Sequence, residues 1–96
     1  MRLQPQEIAS IKTAFKNNFR GGKIYLFGSR TDDKQRGGDI DLYLHLNENT
    51  EEVHQQKINF LVELDHTLGE QKIDVIIAKD KNRLIEQEAL KNRIEL

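Results

Sequence analysis

Two aspartates one residue apart, Asp39 and Asp41, open the run Asp39-Ile40-Asp41-Leu42-Tyr43-Leu44-His45-Leu46. A glycine and a serine, Gly28-Ser29, close the apolar run Lys23 to Phe27 one polar loop earlier. Successive side chains of a strand point to opposite faces, so Asp39, Asp41, Tyr43 and His45 share one face. Ile40, Leu42, Leu44 and Leu46 share the other; the first face reads as wet and the second as core. Two like charges about 4 Å apart repel by roughly 4 kcal/mol at an effective dielectric near 20. A divalent cation removes that cost, and carboxylate oxygens are the hard ligands that Mg²⁺ takes together with waters and substrate phosphates. Gly28 lets backbone approach an anion closely, and Ser29 adds an N–H and a hydroxyl. Metal ligands and phosphate donors then face one another across a loop.

Each of these side chains also has a plainer reading. Ser29 alone suits an ordinary helix cap. Arg30 reads equally as a phosphate contact or a solvated surface residue, and Lys34 and Arg36 as loop solubility. His45 and Tyr43 fit structural, half-exposed roles, and Tyr25 and Phe27 fit packing. Asp32 and Asp33 form a second acidic pair, but they lie in a polar loop with no strand to hold their register.

The elements that must position these groups follow from periodicity. Pro5 and then Ile8, Ile11, Phe15 and Phe19, at three- to four-residue spacing, predict a first amphipathic helix stopped by Gly21-Gly22. A strand over Lys23 to Phe27 follows, then a polar turn over Thr31 to Arg36 closed by Gly37-Gly38, then a strand from Asp39 to Leu46. Asn49 with Glu52 resembles a capping box ahead of a second helix, whose stripe is Val53, Leu61, Leu64 and Leu68, widened by Ile58 and Val62. Gly69 ends it, and Lys72 to Ala78 predicts a third strand that carries Asp74. Asp80 is placed to cap a last helix bearing Leu84, Ile85, Ala89, Leu90 and Ile94.

Ninety-six residues suit a single domain, spanning 1–96, with a small core. A formal net charge of −1 argues against sequence-independent binding of nucleic acid, which needs a basic surface to release counterions from phosphate. The absence of cysteine excludes disulfides and thiolate metal sites and fits a reducing compartment. No run approaches the roughly 20 apolar residues of a membrane span, and the amino terminus lacks a signal-peptide core. A cytoplasmic protein is expected.

Gly-Ser, about ten residues, then Asp-x-Asp in a hydrophobic strand resembles the signature of the DNA polymerase beta type nucleotidyltransferase superfamily, and the short chain resembles its minimal nucleotidyltransferases. The resemblance covers residues 24–77. The Arg30-Thr31-Asp32-Asp33 stretch and Gly38 depart from it, where many members have an Arg-Gly pair and a serine. It implies an α/β (α+β) nucleotidyltransferase fold, a small mixed β-sheet with helices packed on one face. It also implies transfer of a nucleoside monophosphate, AMP from ATP, to a hydroxyl acceptor with two Mg²⁺ ions. The implied catalytic and metal residues are Asp39, Asp41 and Asp74, and the implied phosphate-binding residues are Gly28, Ser29 and Arg30. Long helical crossovers between parallel strands are right-handed, which sets Asp41 and Asp74 near the same end of adjacent strands. To bring Gly28-Ser29 to the start of the second strand, the first must run antiparallel to it.

The resemblance implies a partner as well. Minimal nucleotidyltransferases are similar to one half of a two-gene pair whose other half is an all-helical protein of the HEPN or substrate-binding type. The expectation is that such a protein, or a second copy of the chain, covers the acidic face and supplies the acceptor site. The alternative function is an antitoxin-like binding protein that neutralises such a partner with little or no catalysis, the toxin–antitoxin reading.

Overall fold

The computed structural model describes residues 3–28, 39–48, 50–69, 71–79 and 83–96, the side chain of Glu88 excepted. In chain order the elements are α1 (Pro5–Asn18), β1 (Gly22–Phe27), β2 (Ile40–Leu46), α2 (Val53–Leu68), β3 (Ile73–Ile77), α3 (Leu84–Lys91) and β4 (Ile94–Glu95). Proline suits the first helical turn because its missing N–H would have no partner there. Ahead of it, the Gln4 N–H donates to Glu7 Oε1 at 2.8 Å, which fixes the start of α1. Gly69, at φ 76°, ends α2 by donating its N–H to Asp65.

The sheet is mixed, in the order β3-β2-β1-β4. β1 and β2 pair antiparallel, with Phe27 opposite Asp41 and Tyr25 opposite Tyr43. β2 and β3 pair parallel, with Asp41 opposite Asp74. Both directions match expectation, and β4 is an addition. Ile94 continues the apolar spacing of the last helix, yet the chain leaves helical geometry at Asn92 and pairs Ile94 with Leu26 of β1. That pairing joins residues far apart in sequence, so helical spacing alone could not reveal it.

α1 and α2 cover the face that carries Ile24, Leu26, Ile40, Leu42, Leu44, Val75 and Ile77, and this aliphatic layer is the main core. Phe19 and Phe60 meet edge to face at 5.7 Å between ring centroids. Nearby, Asn17 and Asn18 each donate to Glu63, at 3.0 and 3.1 Å, tying the two helices together. Two sequence expectations for α2 are corrected. Phe60 and Leu64 are its buried residues, whereas Ile58 and Val62 are exposed. Its N-cap is Glu52, so Glu52 is not the third residue of a helix capped by Asn49, a position outside the described residues. The backbone carbonyl of Thr50 instead accepts from the Val53 N–H at 3.2 Å.

The helices do not all pack on one face. α3 lies across the other, where Ala89 joins Tyr25, Phe27 and Tyr43 in a second cluster. Tyr43, expected on a wet face, is 3% exposed. α3 covers its ring, and across 43 positions the Tyr43 hydroxyl donates to Glu86 Oε1 at 3.0 Å. α3 begins after Arg83, so Asp80, which lies outside the described residues, is not its N-cap. Among the described residues no helix is long and apolar enough to cross a membrane.

Candidate active site

Tyr43 and Phe27 sit under α3, and none of the described elements covers the end of that face where β2 and β3 begin. There Asp41 is half-buried and Asp74 exposed, side by side in the parallel register. Burial first, then the Asp74 and Asp39 charges, push the Asp41 carboxyl above its ordinary value, and Lys72 opposes the rise. Each cause except Lys72 disfavours the ionised form, so this carboxyl is poised to gain from a cation.

Gly28 borders the pair. It follows the end of β1 at φ 78°, a conformation that side chains other than glycine's rarely adopt. A Cβ built there would overlap Asp41 Oδ2. Glycine is therefore required twice over, by backbone conformation and by the closeness of the carboxylate. Ser29, Arg30 and the expected turn over 31–36 with Gly37-Gly38 lie outside the described residues.

Asp39 precedes β2 and is half-buried, with Oδ2 3.6 Å from Lys72 Nζ. Its backbone neighbour Ile40 donates to the Lys72 carbonyl at 2.9 Å, so the chain between Asp39 and Lys72 is clamped to the β3 entrance. The structure thus sets Asp41 and Asp74 opposite one another and holds Asp39 at the β2 start against a lysine. Among the described residues no three His, Cys, Asp or Glu side chains converge closely enough to hold a metal ion. The oxygen pair still suits a hard divalent cation in its chemistry, because two carboxylates and no softer donor meet there.

Sequence reasoning missed Glu86. It is 1% exposed and receives the Tyr43 hydroxyl, the Lys79 N–H at 3.1 and 3.2 Å, and Arg83 Nη1 at 3.4 Å. A glutamate among helix-forming charged residues carries no signal of burial until its partners are known. Its effect is to seat α3 on the sheet two residues along β2 from Asp41. Burial, then the bond to Glu86 and the Glu86 charge, pushes the Tyr43 hydroxyl up to about 12.

His45 is exposed at the far end of the same face, beside a cleft that also meets Lys23, Tyr25 and Arg93. The Arg93 guanidinium lies 4.3 Å from the centre of the Tyr25 ring. His45 is four positions along β2 from Asp41, roughly 13 Å at strand rise, too far to share its chemistry.

The sequence profile of the family described as Polymerase beta, Nucleotidyltransferase matches residues 9–96. That range takes in both strands that carry the acidic pair, Gly28 and α3. A search of curated proteins finds no match.

Proposed function

The chain belongs to the Polymerase beta nucleotidyltransferase family, and on that premise we propose that it transfers AMP from ATP to a hydroxyl acceptor in the presence of Mg²⁺. The observation that supports this most is the pairing of Asp41 with Asp74 in the parallel register, with Gly28 packed against the Asp41 carboxylate. Asp41 and Asp74 would hold the divalent ions, and Asp39 would join them on leaving Lys72. Bound there, the ions supply charge neutralisation for a triphosphate and a lowered pKa for the acceptor hydroxyl.

The chain's own groups do the rest. Gly28, having no side chain, lets a triphosphate approach its backbone closely, and Ser29 and Arg30 are assigned the β and γ phosphates by the family pattern. The acceptor oxygen forms a bond to the α-phosphorus, the bond to the bridging oxygen breaks, and pyrophosphate leaves. Asp74, the more exposed member of the pair, takes the acceptor's proton. Catalysis is then mostly positioning and charge compensation.

The acceptor site belongs to a second molecule in this reading. α3 occupies the middle of the face with Leu84 81% exposed at its start, and no described element covers the acidic pair. A separate helical protein of the HEPN type would cover both. A second reading, regulatory binding of such a partner with little catalysis, draws on one observation: among the described residues the acids converge as a pair and not as a trio.

The test is mass spectrometry of the co-purified partner after addition of ATP and Mg²⁺. A gain of one adenylyl group with the wild-type chain, absent with Asp41→Asn and Asp74→Asn, supports transfer. Stable complex formation with an unmodified partner supports the regulatory reading.

A further inference from the structure

Beyond the nucleotide site, the outer edge of β3 lies in a cleft of about 320 Å³ formed with the start of α2 and the start of α3. β3 is an edge strand of the sheet. Flanking it, Lys72 and Ala78 bond toward β2, through the Lys72 carbonyl and the Ala78 N–H. A strand residue in a parallel ladder directs its N–H and C=O to the same side, and neighbours alternate. Val75 and Ile77 therefore direct both groups outward, into the cleft, and among the described residues no hydrogen bond takes them up.

The lining has two characters. Val53, Val75, Ile77 and Ile85 make the floor apolar, and Lys57, Lys79 and Arg83 supply positive charge around it beside His54. No described residue lining the cleft is acidic. Arg83 is engaged with Glu86, while Lys57 and Lys79 form no ion pair among the described residues. Lysines beside a strand edge repel a second copy of the same edge, since pairing two copies would bring these cations together. The same charges attract an extended segment that carries acids. Nucleic acid would use the cations but leave the apolar floor and the strand edge unmatched, and the chain's net charge of −1 gives no wider basic surface to track a backbone.

We propose that the outer edge of β3 receives an extended, acidic segment of a partner protein as an added strand. Main-chain bonds from Val75 and Ile77 hold it, alternate apolar side chains enter the floor between α2 and α3, and the intervening acids meet Lys57 and Lys79. The cleft starts at Val75, directly after Asp74, and runs to Lys79 beyond the end of β3, so a partner anchored there lies next to the acidic pair.

The test uses the full chain and three fluorescent probes: a peptide alternating valine and glutamate, the same peptide N-methylated at alternate amides, and an oligothymidylate of equal length. The first peptide should bind, slow amide exchange at Val75 and Ile77, and weaken by about tenfold or more with the double variant Lys57→Glu/Lys79→Glu. N-methylation removes main-chain donors without changing charge, so it should abolish binding. Equal binding of the N-methylated peptide would reduce the surface to plain electrostatic adsorption and overturn the proposal, as would tighter binding of the oligothymidylate. Concentration-dependent protection of Val75 and Ile77 in the chain alone would assign the edge to a second copy, and would overturn it too. The decisive comparison varies the peptide, so it survives if the double variant folds poorly.

Discussion

Asp41 and Asp74 stand opposite one another in the parallel register of β2 and β3, and after burial the Asp74 charge is what most holds the Asp41 carboxyl above its ordinary value. Two carboxylates are held side by side there, in a place where a cation would offset their repulsion. The fold therefore carries an electrostatic cost at neutral pH that a ligand would relieve.

Asp41→Asn should raise the stability of the metal-free chain at neutral pH. The folded-state pKa of Asp41 lies above its unfolded value, so between the two the folded chain binds more protons than the unfolded one. Stability linked to this group is fully present below the ordinary carboxylate value and is lost as pH rises through the raised one. The melting-temperature gain of the variant should thus shrink as pH falls toward 3.8, the ordinary value. Thermal melts across that range check it; a gain independent of pH would refute the electrostatic cause.

Magnesium should raise the melting temperature of the wild-type chain and leave Asp41→Asn unmoved, because a ligand stabilises only the state that binds it. Lys72→Ala should strengthen the effect. It frees Asp39 from an exposed pair worth about 1 kcal/mol or less, so metal-free stability changes little while affinity for the ion rises. Calorimetric titration of Mg²⁺ into the three proteins separates the two effects.

Gly28→Ala should lose about 1–2 kcal/mol from backbone strain at positive φ. Its new methyl would also displace the Asp41 carboxylate, so nucleotidyl transfer should fall further than stability does. Urea titration beside a transfer assay reads both. Wild-type transfer by a folded Gly28→Ala chain would remove Gly28 from the site.

Glu86→Ala should cost about 3 kcal/mol or more, because the Lys79 N–H and the Tyr43 hydroxyl lose a buried charged acceptor. Tyr43→Phe should cost less. Tyr43 is raised from 10.0 to about 12, so its contribution is full below the unfolded value and disappears as pH rises through the folded one. Wild type should lose stability more steeply than Tyr43→Phe between those pH values, and denaturation at graded alkaline pH measures the difference.

Alternation of Ile40, Leu42 and Leu44 with Asp41 and Tyr43, the helical spacing of Ile11 and Phe15, and the length of the crossover to Asp74 were enough to place β1, β2 and β3 and their directions. Each is a local repeat or a chain-length constraint, and a sequence displays both. The acidic pair was legible for the same reason, since two strands of known direction put Asp41 and Asp74 at one end. The tertiary structure alone decided that Tyr43 is buried, that Glu86 is its acceptor, that Ile94 leaves the helix for the edge of β1, and that Lys72 holds Asp39. Those four outcomes depend on partners 68, 43 and 33 positions away in the cases of Leu26 with Ile94, Tyr43 with Glu86, and Asp39 with Lys72. The energy of a polar or edge residue lies in what it pairs with, and no periodic pattern encodes a partner brought near only by the folded chain.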